Sequence, residues 1–264
     1  MDWIDDVIIL SKIPYGESSF VLTVMSENHG KWAGFVKGSY RRQSAKAAFT
    51  VFECGDIARC QWRSRVSDNL GNMVIETKLQ PFIFAWSSKQ RLLAIKSTCD
   101  MCLSLCPERQ VLKSVYEGLR MFLCNIMRPN WVPEYIRFEL GLLKHLGYGL
   151  DIEKCAVTGT NSDLSYVSPK TGRAVCQRVG EQYRNRLLAL PAFLTNPHDD
   201  KNIKWQEVFD GLNLTDFFLQ KVFNVYSKTA PKARAMLLQA LIKDCRNRDE
   251  LSVAQNNKGC LAQR

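Results

Sequence analysis

Two rhythms of apolar and polar positions divide the chain. Over the first eighty residues, short β-branched and aromatic runs alternate with polar positions and are separated by Gly, Pro, Asn and Ser, which is the pattern of strands. It predicts strands at Val7 to Lys12, Phe20 to Ser26, Lys31 to Lys37, Phe52 to Arg65 and Met73 to Lys78. In the second strand Phe20, Leu22 and Val24 share one parity and Val21, Thr23 and Met25 the other, so the two sets face opposite ways. Asn28, His29 and Gly30 then predict a tight hairpin into the third strand, because Asn and Gly tolerate positive φ. The fourth strand places Arg59, Arg63 and Arg65 on one side and Ala58, Cys60 and Trp62 on the other, a basic face and a core face. Five strands in eighty residues imply a small barrel.

Pro81 closes that region, and from about Ser87 the rhythm becomes helical. Leu92, Ile95, Cys99, Cys102 and Cys106 recur at three- and four-residue steps, and Pro107 ends the helix they define. A second helix is predicted from Glu108 to Met127, and a third is opened by Pro133 at its first turn. Apolar residues from Tyr135 to Leu146 surround most of that third helix and leave Glu134, Arg137 and Lys144 on a narrow polar strip, so it belongs at the centre of the domain. Residues 147–186 lose the helical period and carry turn signals, which reads as an irregular insert with a short hairpin. Three further helices are predicted at Lys204 to Leu212, Thr215 to Ser227 and Pro231 to Arg246, followed by a polar tail at 251–264. The resulting division is 1–80 for the barrel and 81–250 for the helical part.

Composition adds a sign to this outline. With 46% hydrophobic and 23% charged residues the chain is an ordinary folded protein, but its net charge of +10 favours polyanionic partners. The acidic start from Met1 to Asp6 is unlike a signal peptide, and no apolar run approaches the ~20 residues of a membrane span. The ten cysteines are therefore expected as free thiols in a reducing cytoplasm, and no membrane partner is expected.

The excess charge is concentrated. Between Lys31 and Arg65 stand Lys31, Lys37, Arg41, Arg42, Lys46, Arg59, Arg63 and Arg65, against only Glu53 and Asp56. Cations in such a group can neutralise successive phosphates and release their counterions. Trp32, Phe35, Tyr40 and Trp62 are interleaved with them, and a ring beside a cationic groove can stack an unpaired base. Tyr40 is favoured for stacking because Arg41 and Arg42 follow it in a polar loop, whereas Phe35 and Trp62 are expected to pack. Cys99 and Cys102 have the spacing of a redox or zinc pair, yet their apolar helical stripe makes them core residues. His29, His145 and His198 are isolated, and no nucleophile elbow or phosphate-binding glycine loop is present, so no catalytic residues are expected.

Three segments resemble the RecO family of recombination mediators. They are the run RFELGLLKHLGYGL from Arg137 to Leu150 with Asp151 to Cys155; Ile8 through Tyr15 to Ser19 with His29 to Lys31 and Val36 to Gly38; and Tyr166 to Gly172. The resemblance implies an α+β fold, an N-terminal five-stranded OB-fold barrel followed by a helical domain. It implies binding of single-stranded DNA, with duplex DNA as a further ligand, strand annealing, association with RecR and with the acidic C-terminal tail of single-stranded DNA-binding protein, and indirect action on RecA in a bacterial nucleoid. On the helical domain Arg137, Leu140, Lys144, Lys232 and Arg234 are candidates for holding that tail. Some relatives hold zinc with two C-x-x-C pairs; here only Cys155 and Cys176 remain, with Thr158 and Val179 at the other two positions, so no metal is expected. A thiol- or metal-dependent enzyme and a protein-only adaptor with a basic surface are the alternative readings.

Overall fold

The computed structural model describes residues 1–17, 19–37, 52–65, 70–196 and 203–244. Five strands, β1 (Asp2–Tyr15), β2 (Ser19–Ser26), β3 (Gly30–Val36), β4 (Ile57–Arg63) and β5 (Gly71–Leu79), close a barrel in the order β1-β2-β3-β5-β4. All neighbouring pairs are antiparallel except β3 with β5. Asp5 fixes the β2–β3 hairpin by accepting hydrogen bonds from the Asn28 backbone N–H at 2.7 Å, the Asn28 amide at 3.0 Å and the Ser26 hydroxyl. Inside the barrel Trp3, Trp32 and Trp62 pack on one another, with Trp3 and Trp62 stacked at 5.9 Å between ring centroids. The interior leaves no room at Gly71, where a Cβ would fall 2.2 Å from the Trp62 ring.

The four-residue apolar run Val7 to Leu10 is wholly buried because β1 is covered on both faces. Val7 and Ile9 point into the barrel, whereas Ile8 and Leu10 join the core of the helical part. That core is reached through α2 (Lys89–Leu105), whose N-terminus is capped by Ser88 and whose Cys99 Sγ lies 3.7 Å from Ile9 O. Cys99, Cys102 and Cys106 are buried along the predicted stripe. The remaining helices are α1 (Pro81–Ala85), α3 (Lys113–Asn125), α4 (Trp131–Leu143), α5 (Gln177–Gly180), α6 (Ala192–Thr195), α7 (Trp205–Val225) and α8 over 232–244. A three-stranded sheet, β6 (Leu164–Val167), β7 (Ala174–Cys176) and β8 (Leu188–Ala189), forms the insert in the order β7-β6-β8.

Four expectations shift. The fourth strand begins at Ile57, not Phe52, because Gly55 at φ +89 and the Glu53 N–H donating to Asp56 turn the chain before it. Pro81 opens the unforeseen α1 at its first turn. The second predicted helix begins at Lys113, since the preceding segment is drawn onto the barrel: Arg109 N–H donates to Lys31 O at 2.9 Å. The two helices expected at Lys204 to Leu212 and Thr215 to Ser227 are one. Thr215 has the sequence character of a cap, but its hydroxyl bonds back to Leu212 O and across to Glu139, so it sits in mid-helix. The tail at 251–264 lies outside the described residues.

Candidate nucleic-acid interface

Strand parity and register arrange the outer surface of the barrel. Ile13 pairs with Val21, Val21 with Phe35, Phe35 with Asn72, Asn72 with Arg63, and Arg63 with Asp2, a belt of six residues around the whole barrel. One half of the belt is apolar and aromatic. Ile13 is 58% exposed, and Tyr15, two residues further along the same face of β1, is 62% exposed with its ring edge-on to Phe35 at 5.5 Å. The other half is ionic, with Arg63 Nε 3.7 Å from Asp2 Oδ2. Arg63 and Arg65 are exposed at the end of β4, and Lys37 is exposed at the end of β3, beside the same belt. Lys37 and Arg65 form no ion pair with a described residue. A flat aromatic surface bordered by cations can take a base on its ring and the following phosphate on its charge.

Arg59 lies lower on the β4 face and is already engaged. Its Nη1 is 2.8 Å from Asp6 Oδ1, which also takes the Lys78 ammonium at 2.7 Å. Burial pushes the Asp6 carboxyl upward, but hydrogen bonds from Lys78 and Arg59 outweigh it and hold the group below the usual carboxylate range. With Glu76 opposite Arg59 on β5, the cations of this face are matched by carboxylates, while Lys37 and Arg65, on either side of the Phe35–Asn72–Arg63 row, are not. The fourth-strand parity is as read: Ala58, Cys60 and Trp62 are buried and the three arginines exposed.

Lys31 does not belong to this surface. It is 7% exposed and its ammonium donates to Leu103 O at 2.7 Å. The last carbonyls of α2 lack helical partners, and a lysine reaching in from β3 satisfies one of them. Trp32 is also internal, with its indole N–H donating to His29 O at 2.7 Å. Phe35, expected to pack, instead faces outward and is half-buried. Tyr40, Arg41, Arg42 and Lys46 lie outside the described residues. Sequence reasoning passed over Tyr15; its signal was the strand parity it shares with Ile13, opposite the apolar interior.

The family profile described as Recombination protein O N terminal matches residues 1–79, and that described as Recombination protein O C terminal matches residues 88–228. The chain belongs to the RecO family. Relatives named DNA repair protein RecO include that of Methylocella silvestris, 36% identical over 92% of this chain and 97% of its own length. The protein of Rhodospirillum centenum is 35% identical over 89% of this chain and 92% of its own, and that of Rickettsia akari is 33% identical over 90% and 97%. The α+β architecture, with an OB-like N-terminal barrel and a helical remainder, is that of the family.

Among the residues expected to hold a partner's tail, the structure separates what the sequence grouped. Arg137 lies on α4 and Lys144 just past its end, and Arg137 is bonded to Glu134 at 2.6 Å and to Phe193 O at 3.0 Å. Leu140 is half-buried against the core, and Lys144 and Lys232 are exposed. Arg234 corrects the expectation: it is 2% exposed and grips Glu139 through Nε–Oε1 at 2.7 Å and Nη2–Oε2 at 3.2 Å, with Asp216 on its third nitrogen. Glu139 lies two residues, about 200° around the helix, from Arg137. Arg234 therefore braces α8 on the far side of α4 and cannot join a rim with Arg137.

The zinc pattern seen in some relatives does not fit the insert. Thr158 presents a hydroxyl 3.7 Å from Cys176 Sγ, and Val179 packs into the small apolar cluster around Cys155, Val175 and Cys176. Among the described residues no group of three or more His, Cys, Asp or Glu is placed to hold a metal, and no helix is long and apolar enough to cross a membrane.

Proposed function

We propose that this RecO-family chain is a DNA repair protein that binds single-stranded DNA on the outside of its barrel. The observation that carries the reading is the edge-on contact of exposed Tyr15 with half-buried Phe35, beside Lys37, Arg63 and Arg65. Bases stack on the rings and phosphates follow Lys37, Arg63 and Arg65. The action needs no covalent chemistry: neutralised phosphates repel less, so two strands approach and anneal. In the finer reading that the resemblance supplies, the chain joins RecR, docks on the acidic tail of single-stranded DNA-binding protein through the α4 region near Lys144, and helps RecA load on coated strands. Duplex DNA is a second ligand of the barrel.

The test is a titration of labelled single-stranded DNA at several salt concentrations. Phe35→Ala and Tyr15→Ala should each weaken binding by about 1–3 kcal/mol with the salt slope retained, the signature of a lost stack. Paired charge reversal of Arg41 and Arg42, or Arg63→Ala with Arg65→Ala, should flatten the slope by ~0.7 per lost phosphate contact. A chain that binds RecR and the tail peptide yet ignores DNA would be an adaptor, and this reading would fall.

A further inference from the structure

Away from the barrel, two cysteines meet at the base of the insert. Cys155 and Cys176 are 1% and 5% exposed. The Ala156 N–H donates to Ala174 O at 2.8 Å, so the chain at 155–156 runs alongside β7, and the Cys176 N–H donates to Cys155 Sγ at 3.3 Å. Cys155 lies outside the strands, and that 3.3 Å contact brings its sulfur onto the backbone of Cys176. The Thr158 hydroxyl reaches both sulfurs, at 3.7 Å from Cys176 Sγ and in a hydrogen bond to Cys155. A cavity of about 480 Å³ lies against Cys176 and Thr158, lined also by Ser162 and Arg178, so a small solute reaches the pair from the Cys176 side.

We propose that Cys155 and Cys176 are a peroxide-responsive dithiol that closes reversibly to an intramolecular disulfide. Two ligands short of a zinc site, the knuckle keeps the feature that such sites use to hold a thiolate, backbone N–H groups aimed at sulfur. Burial opposes ionisation of Cys155, but hydrogen bonds from the Thr158 hydroxyl and the N–H groups of Cys176, Thr158 and Val157 bring its thiol down to about 6. The contrast is with Cys60, which burial pushes up to about 12, and with Cys99, which burial also raises.

The chemistry balances with hydrogen peroxide as oxidant. The Cys155 thiolate attacks one peroxide oxygen, the O–O bond breaks, and Cys155 becomes a sulfenic acid while hydroxide leaves and is protonated to water. The Cys176 sulfur, giving up its proton, then attacks the sulfenic sulfur. The S–O bond breaks, and the departing hydroxide takes that proton as a second water. Two thiols have lost two electrons and two protons, and one peroxide has become two waters.

The experiment treats the full-length chain with stoichiometric hydrogen peroxide, alkylates it under native conditions and maps the peptides by mass spectrometry. The expected product is a peptide pair joined through Cys155 and Cys176, lighter by two hydrogens and released by dithiothreitol. In Cys176→Ser the sulfenic acid should persist at Cys155 and be trapped by dimedone, and in Cys155→Ser residue 176 should stay reduced. Recovery of both cysteines as free thiols after peroxide, with oxidation confined to sites such as the exposed Cys124, would overturn the proposal. So would stoichiometric zinc in the purified chain that protects both sulfurs.

Discussion

Arginine meets carboxylate both at the centre of the helical domain and on the surface of the barrel, and the two contacts do different work. Arg234 and Glu139 are 2% and 0% exposed, hydrogen-bonded on nearly every polar atom, and tie α8 to α4 and α7. Arg59 and Asp6 are 45% and 27% exposed, and Lys78 shares the same carboxylate. In the first place water is gone and each charge depends on its partner, so the pair specifies geometry. In the second, water and salt compete at every moment, and the arginine can exchange its carboxylate for a phosphate.

Breaking the buried contact should give the largest effect. Glu139→Ala leaves the buried Arg234 guanidinium with Asp216 alone and should cost about 3–5 kcal/mol in denaturant unfolding. Replacing both partners, Glu139→Leu with Arg234→Met, should recover much of that loss, because the uncompensated charge is what destabilises. If the double variant is as damaged as the single, the pair is not acting as a charge pair.

Asp56 sharpens the comparison as a buried acid with no cation bonded to it. It is 0% exposed, and its Oδ2 accepts from the Glu53 N–H at 3.0 Å and the Gln80 amide at 3.3 Å. Its Oδ1 has no partner among the described residues, and burial pushes the carboxyl up to about 6. A raised carboxyl binds its proton more tightly in the folded chain. Its contribution is therefore fully present below about pH 4 and is lost as pH rises through 6. Asp56→Asn should remove that slope and raise stability at neutral pH by on the order of 2 kcal/mol, read from unfolding midpoints between pH 4 and 7.5.

The smallest effect on stability belongs to the surface pair. Asp6→Asn should leave the melting temperature unchanged while freeing Arg59 and Lys78, so that single-stranded DNA binds more tightly at low salt and the advantage vanishes at high salt. A fall in melting temperature comparable to that of Glu139→Ala would remove the distinction between the two contacts.

Much of the barrel was legible because a period of two is a property of the backbone. The five strands, the hairpin at Asn28 to Gly30 and the parity of Ala58, Cys60 and Trp62 against the arginines all follow from it. Parity separated Trp32 from Phe35 without saying which of them faces inward. Residue type misled in another way at Lys31 and Arg234. A cation in sequence reads as surface, and only a neighbouring element with an unsatisfied carbonyl or a buried carboxylate reverses that. For Thr215 the local cap signal lost to a tertiary acceptor, Glu139, on another helix.

By itself the sequence determined the barrel followed by helices, the stripe of Cys99, Cys102 and Cys106, the concentration of cations between Lys31 and Arg65, and the family. These are local periodicities, compositions or motifs, and neighbours along the chain suffice to express them. Tertiary structure alone decided that β1 is buried on both faces, that Tyr15 and Phe35 share an exposed belt with Arg63, and that Arg234 is a brace. Each depends on which side chains distant in sequence come within a few ångströms, and on how much water that contact leaves between them.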